Sequence, residues 1–348
     1  MQMKHGFGII GAGGIADVHA RAIKAINGTG PSGVYDTDRA KCVSFGQKYD
    51  CKAFESPDDL CRDPDIDIVC ICTPSGYHLE PALMATGEGK HCIIEKPLEI
   101  TLERCDKIIE AGIRNNVIIS GIFPMRFSDV NKELRKAIDA GRFGKFVLGD
   151  IYIKWYRSQA YYDEVKWRGS MKDGGGGAVM NQGIHSIDLL QWFMGKVETV
   201  CAFTSSPGHA DIEIEDTAVA ALKFSNGALG VIEASTAVNP GFFRKIEILG
   251  TKGSVVLEEE IIKTWQFSEE EPDDQLIRDR FSGIHTSGGG VSDPKAISDE
   301  GHIRQFLDIT EAIETNRKPA IDAVEARKAV EIVLAVYDSA ANKRIIHL

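Results

Sequence analysis

The residues with the most chemistry to offer lie in one short stretch, residues 174–188, which opens with four glycines and then carries Asn181, His185 and Asp188. Read as a helix after the glycines, it sets those three side chains along one face. An imidazole titrates near neutrality, so His185 can take or release a proton at ordinary pH. Glycines, lacking a Cβ, let the backbone approach a ligand or a strand closely. A Gly-rich turn before an ordinary amphipathic helix reads the same way, so the meaning of the stretch depends on the elements that precede it.

Those elements point to a nucleotide. Residues 6–10 read as a buried strand, and Gly11-Ala12-Gly13-Gly14-Ile15-Ala16 follows at once, a G-x-G-x-x-A fingerprint. The first glycine makes a tight turn, the second lets backbone amides meet a pyrophosphate, and the small last residue packs helix on strand. The helix that starts near Gly14 offers its N-terminus to the phosphates. A second strand, 33–35, ends at Asp36, at the spacing of the carboxylate that binds the adenosine ribose hydroxyls. That carboxylate repels a 2′-phosphate and favours NAD over NADP, although Arg39 nearby could hold such a phosphate.

Strands at 67–72, 91–95 and 117–120 alternate with helical patterns at 81–88 and 102–115. The alternation predicts a doubly wound parallel sheet, whose ligands bind beyond the carboxyl ends of the strands. Two motifs fall at such ends: Thr73-Pro74-Ser75-Gly76-Tyr77-His78 and Glu95-Lys96-Pro97. After Gly121 the pattern changes. A polar helix at 129–140 precedes strand-like runs at 146–156, 197–205, 217–224, 229–237, 245–249 and 254–257, with a hairpin signal at Ser225-Asn226-Gly227. Such runs predict a large, mostly antiparallel open sheet. The run 269–274 reads as a solvated acidic loop, 281–293 as a mobile Gly- and Ser-rich loop, and 297–315 and 323–343 as closing helices. The expected division is a nucleotide-binding domain at 1–122 and an α/β substrate domain at 123–348, the last helices able to pack back on the first.

At 348 residues the chain has room for two cores, and its 43% hydrophobic and 26% charged content is that of a globular protein. A net charge of -11 argues against nucleic acid or an anionic membrane as partner. No apolar stretch is long enough to span a bilayer, and the first residues lack a signal peptide's apolar core. The eight scattered cysteines contain no Cys-x-x-Cys pair, which favours reduced thiols in a cytoplasmic protein over zinc or a redox dithiol. The pairs His185/Asp188 and His209/Asp211 each lack a third metal ligand at a sensible spacing.

The fingerprint, the Thr-Pro-x-x-x-His turn, the Glu-Lys-Pro turn and the later Gly-Gly-Gly…Gly-x-His-x-x-Asp, in that order, resemble the glucose–fructose oxidoreductase / inositol dehydrogenase / rhizopine catabolism protein family (Gfo/Idh/MocA). The resemblance spans essentially the whole chain, through His302, Gln305-Phe306-Leu307 and on to residues 335–340. It implies NAD-dependent hydride transfer at a hydroxyl of a sugar or cyclitol, and a homodimer or homotetramer formed through the second sheet. It assigns Lys96 to the substrate hydroxyl, Glu95 to anchoring its turn and contacting the cofactor, and His78, Trp167 and Arg168 to the cofactor. Thr73, Pro74 and Ser75 line the same cofactor site. Arg126 and Arg157 suit a substrate carboxylate or phosphate, and Tyr156 the face of a sugar or uracil ring. Many members carry an aspartate four residues before the histidine; here it is Asn181. An amide cannot take a proton, so the proton falls to His185, to Lys96, or to both. The Asn form, with the run 154–159, is similar to the branch that oxidises the 3-hydroxyl of sugars such as UDP-N-acetylglucosaminuronate. Inositol dehydrogenase, an NAD-dependent glycosidase and a non-catalytic sugar or NAD sensor are the alternatives.

Overall fold

The computed structural model describes residues 5–28, 30–283 and 299–348, and the chain forms two compact units. The first comprises the described residues of Met1–Pro124 and Ser298–Val330. Its strands are β1 (Phe7–Ile10), β2 (Gly33–Tyr35), β3 (Lys52–Ala53), β4 (Ile68–Ile71), β5 (His91–Ile94) and β6 (Ile119–Gly121). They form one sheet in the order β3-β2-β1-β4-β5-β6, parallel throughout. The order reverses direction beside β1, and the Gly-rich turn leaves β1 at that switch point, where doubly wound sheets bind nucleotides. The central strands β1 and β4 are buried end to end, as expected of strands covered on both faces.

One core element of this unit comes from far along the sequence. Helix Glu300–Glu314 packs on helix Gly14–Asn27, and Phe306 and Ile309 join Phe7, Ile9, Ala20 and Ile23 in a single apolar cluster. Gln305 fastens the helix by donating to the Gly121 carbonyl (2.8 Å) and accepting from the Phe123 amide (3.0 Å). Ser120 donates to the Ile321 carbonyl (2.6 Å). Helices Arg39–Tyr49 and Pro57–Arg62 fill the crossovers around β3.

The second unit comprises the described residues of Met125–Ile297 and Glu331–Leu348. It is built on β7 (Phe146–Lys154), β8 (Val197–Ser205), β9 (Thr217–Phe224), β10 (Leu229–Ser235), β11 (Lys245–Gly250), β12 (Gly253–Glu258), β13 (Ile261–Phe267) and β14 (Ile346–His347). These form one sheet in the order β13-β12-β11-β7-β10-β9-β8-β14, antiparallel except where β7 runs parallel to β10. Strand β9 shows the alternation plainly: Ala218, Ala220, Leu222 and Phe224 are buried while the residues between them are exposed or half-buried. Helix Ile184–Met194 packs on β7, where Gly149 makes room for Met194.

The acidic run is an exposed loop through Asp273, as expected, and its last residue opens a helix, Asp274–Arg280. Asp274 is buried and accepts from both Arg142 terminal nitrogens (2.7 and 2.6 Å) and from the Trp265 indole (2.6 Å), which hold its carboxyl well below the usual range. The strand expected at 146–156 ends at Lys154. Of the Gly- and Ser-rich loop, residues 284–293 lie outside the described residues. Among the described residues no helix is long and apolar enough to cross a membrane.

Candidate functional site

In the first unit the fingerprint folds into a cradle. Gly11 has a φ of +97°, and a Cβ there would lie 2.7 Å from the Cys72 backbone. At Gly13 and Gly14 an added Cβ would meet nothing within 4 Å, so both glycines border open space. The helix Gly14–Asn27 begins from Gly13 without a side-chain cap. Its orphan amides and dipole therefore remain available to an anion in that space, which fits the pyrophosphate of a dinucleotide. Ile15 is half-buried beside the turn, and Ala16 is fully buried against the core.

Asp36 is held in this cradle, its carboxylate accepting from the Ala12 amide (2.7 Å) and the Asp38 amide (2.7 Å). Arg39 is turned elsewhere. It donates to the Phe54 carbonyl (2.8 Å) and pairs with Glu55 (2.5 Å), so its guanidinium is engaged away from the Asp36 carboxylate.

The two strand-end turns come together behind β4 and β5. The Thr73 hydroxyl donates to the Tyr77 carbonyl (2.9 Å), Pro74 leads into the short turn Ser75–Tyr77, and Ser75 is buried. His78 is fully buried; one ring nitrogen faces the Pro97 carbonyl (2.9 Å) and the other the Thr73 carbonyl (3.0 Å). The imidazole, expected near the cofactor, is thus turned to the backbone of both turns. Glu95 is also buried. It accepts from the His19 ring (2.8 Å) and from the backbone amide of the half-buried Lys96 (3.0 Å). Burial alone would raise its carboxyl, but His19, with His302 and Lys96 nearby, holds it at about 2. Burial pushes His302 down to about 4, so that ring is neutral at ordinary pH.

In the second unit the stretch from Gly174 to Gln191 is sealed. Every residue there is buried except Asn181, Gln182 and His185. The first turns, Ala178–Gly183, are a π-helix rather than the expected α-helix, and Ile184–Met194 continues as α. Single π-turns within helices recur at functional sites.

The glycines serve the fold directly. A Cβ on Gly176 would lie 2.1 Å from the Tyr337 hydroxyl, and one on Gly177 would lie 1.8 Å from the Glu215 carbonyl. They admit a buried bracket. Glu215 accepts from the Gly177 amide (2.9 Å), the Val179 amide (2.8 Å) and the Tyr337 hydroxyl (3.0 Å), and that hydroxyl accepts from the Met180 amide (3.2 Å). Glu215 and Tyr337 lie 38 and 160 positions or so from this turn along the chain, and no local pattern links them to it.

Around the accessible trio lies a polar and aromatic wall. Arg157 is buried; it donates to Gln182 (2.9 Å) and to the Tyr156 carbonyl (2.8 Å), and its guanidinium lies over Trp155 (5.2 Å). Burial lowers its pKa. Gln182 in turn donates to the Tyr161 hydroxyl (3.0 Å), and Arg168 stacks on the Tyr161 ring (4.1 Å) and donates to its carbonyl (3.0 Å). Tyr156 and Trp167 are half-buried alongside. Gln182 belongs to this wall and was missed in the sequence, where nothing separates it from a helix-surface amide.

Two further placements differ from expectation. Arg126 is buried and forms a two-pronged ion pair with Asp188 (2.7 and 2.5 Å), its guanidinium over Trp192. The pair holds both residues inside the fold. His209 faces Asp216 (3.0 Å) and the Arg157 carbonyl (2.8 Å) rather than Asp211, and so supports the Arg157 segment. Among the described residues no group of three or more His, Cys, Asp or Glu side chains could hold a metal ion.

A parallel sheet with an open Gly cradle and a ribose-type carboxylate, followed by a large open sheet with a helix that carries a half-buried histidine, defines an NAD-dependent oxidoreductase of two-unit build. Residues 5–123 match the oxidoreductase family with an NAD-binding Rossmann fold, and residues 131–256 match the GFO/IDH/MocA C-terminal domain. The chain is 31% identical over 256 residues to myo-inositol 2-dehydrogenase of Thermotoga maritima, covering 71% of this chain and 73% of that protein. It is 25% identical to scyllo-inositol 2-dehydrogenase (NAD(+)) of Bacillus subtilis, over 83% of this chain and 79% of that one. The WlbA dehydrogenase of Bordetella pertussis, solved with NADH and UDP-GlcNAcA, superposes with a TM-score of 0.88 at 29% identity, covering 99% of both chains. The chain belongs to the Gfo/Idh/MocA family of NAD-dependent oxidoreductases.

Proposed function

We propose that this enzyme oxidises a secondary hydroxyl on a nucleotide-linked sugar acid of the UDP-N-acetylglucosaminuronate type. The observation that carries the reading is the accessible trio Asn181, Gln182 and His185 in an otherwise sealed stretch, bordered by Arg157, Tyr161 and Arg168. Buried arginine and stacked aromatic rings suit a ligand with both anionic groups and flat faces. The likeness to a dehydrogenase solved with NADH and UDP-GlcNAcA supports it.

Bound NAD supplies the hydride acceptor. Gly13, Gly14 and the amides that follow hold its pyrophosphate, and Asp36 its adenosine ribose. His185 takes the hydroxyl proton, Asn181 orients the substrate by hydrogen bonds, and Lys96 donates to the hydroxyl and positions it. Thr73, Pro74 and Ser75 line the cofactor, to which Trp167 and Arg168 are also assigned; Tyr156 flanks the ligand and Arg157 meets its charged groups.

The test is turnover, followed as NADH formation, on UDP-N-acetylglucosaminuronate and on myo-inositol. The nucleotide sugar is expected to be oxidised with the higher kcat/KM; preference for myo-inositol, which the Thermotoga maritima relative raises, overturns the substrate assignment. His185→Ala is expected to lower kcat by about two to four orders of magnitude, the usual cost of removing a general base, with NAD affinity unchanged. Wild-type turnover in that variant refutes the role of His185.

The second-unit sheet is further proposed to pair with the sheet of a second copy. Cross-strand register puts Phe203 beside Val219, and Leu229 beside Leu148, on one face. All four are exposed, Phe203 at 76%, amid Asp150, Glu233, Glu247, Lys154 and Lys245 on the same face. An apolar patch with charges of both signs at hand is self-complementary under a two-fold axis.

A further inference from the structure

Lys96 sits in a turn that two buried histidines hold from opposite sides. His19, from helix Gly14–Asn27, and His78, from the turn after β4, both have no exposed surface. His19 donates through Nε2 to Glu95 (2.8 Å), and the other Glu95 oxygen accepts from the Lys96 amide (3.0 Å). His78 reaches the next residue directly, with Nδ1 on the Pro97 carbonyl (2.9 Å) and Nε2 on the Thr73 carbonyl (3.0 Å). The Glu95 amide closes the turn onto β4 through the Ile71 carbonyl (3.0 Å).

His19 is poorly explained as packing. Its Nδ1 has no hydrogen-bond partner among the described residues, and its ring meets the edge of Phe306 with centroids 5.0 Å apart. An unpaired polar atom in an apolar core costs stability that an aliphatic side chain of similar size would not. The one hydrogen bond that the ring does make goes to Glu95. His302, 6.1 Å away between ring centroids, is neutral and leaves Glu95 to its bond with His19. For His78, one ring nitrogen faces the Pro97 carbonyl and the other the Thr73 carbonyl, so both are turned to the protein's own backbone.

We propose that His19 and His78 are positioning residues of the hydride-transfer reaction, clamping the Lys96 turn through Glu95 on one side and through Pro97 on the other. The proposal rests on the role given above to Lys96. Neither histidine touches substrate; each fixes where the lysine stem begins. Holding reacting groups in place is worth a great deal, since a misplacement of about 1 Å can cost about a hundredfold in rate.

A double-variant cycle tests this, using the full-length enzyme with NAD and UDP-N-acetylglucosaminuronate. His19→Leu removes the donor and fills the space; it is expected to lower kcat by about tenfold to a hundredfold while NAD affinity, read by fluorescence titration, stays put. His19→Gln, whose amide can donate to Glu95, is expected to recover part of the loss. The decisive comparison is with Lys96→Met. If His19 acts through Lys96, the double variant His19→Leu/Lys96→Met turns over no more slowly than Lys96→Met alone. Losses that multiply, or an unchanged kcat in His19→Leu, overturn the clamp. Should His19→Leu fail to fold, His19→Gln and His78→Asn complete the same cycle with Lys96→Met. If Lys96→Met itself keeps wild-type turnover, the fault lies in the role assigned to Lys96, and the two failures are told apart.

Discussion

Tyr337→Phe is the cleanest probe of the bracket that shapes the reactive helix. The hydroxyl makes two bonds inside the second unit, donating to Glu215 (3.0 Å) and accepting from the Met180 amide (3.2 Å). Its removal deprives a buried carboxylate of one charge-assisted bond, about 1.5–3 kcal/mol, and leaves a buried amide without that acceptor, about 1–3 kcal/mol. The ring stays, so the apolar packing is unchanged. The expected destabilisation is therefore about 2.5–6 kcal/mol, a large share of an ordinary folding free energy of about 5–15 kcal/mol. Denaturant unfolding measures it as a lower midpoint with an unchanged slope. The same helix carries Asn181 and His185, so kcat is expected to fall at temperatures where the variant remains folded. NAD affinity should be untouched, because the nucleotide cradle lies in the other unit. A stability loss below about 0.5 kcal/mol, the usual scatter of surface substitutions, would refute the reasoning that this hydroxyl organises the turn.

Gly13→Ala is expected to fold with wild-type stability, because an added Cβ meets nothing within 4 Å and the backbone there is extended (φ -83°, ψ -174°). NAD binding should weaken at least tenfold, about 1.4 kcal/mol, and unchanged affinity in a fluorescence titration would remove the cradle from the cofactor site. Phe203→Glu, on the exposed sheet face, is expected to shift sedimentation from dimer or tetramer to monomer; an unchanged assembly state rules that face out as the contact.

The parallel sheet was legible because its signals are local. A buried run, a Gly-rich turn and a helix follow one another within residues 6–27, and the physics of each is contained in a few neighbours. Asn181 and His185 are half-buried in a stretch otherwise buried but for Gln182, Asn181 on the π-helix and His185 on the α-helix that continues it. What the sequence hid was every partner that arrives from a distance. Arg126 looked like an anion binder because an arginine near a reactive stretch reads that way, and only the fold shows Asp188 across from it. His78 was assigned to the cofactor through the resemblance alone, and only the fold shows the ring between the Pro97 and Thr73 carbonyls. Glu215 sits at the head of a strand in an acidic run and carries no mark of the two amides it receives. The short helices around β3 have weak periodicity and lie where crossover and loop look alike.

The way helix Glu300–Glu314 enters the first unit also constrains how the molecule is made. A ribosome releases residues 5–123 long before it reaches Phe306 and Ile309, so the nascent nucleotide-binding half must wait with part of its apolar surface uncovered. Until then the Gly121 carbonyl and the Phe123 amide, which Gln305 will eventually bind, have only water as partner. The two halves therefore cannot mature strictly one after the other: the second is translated, and can collapse, while the first is still incomplete. An excised amino-terminal fragment should for the same reason be a sticky, partly ordered species, and adding the carboxyl-terminal segment as a separate peptide should rescue it.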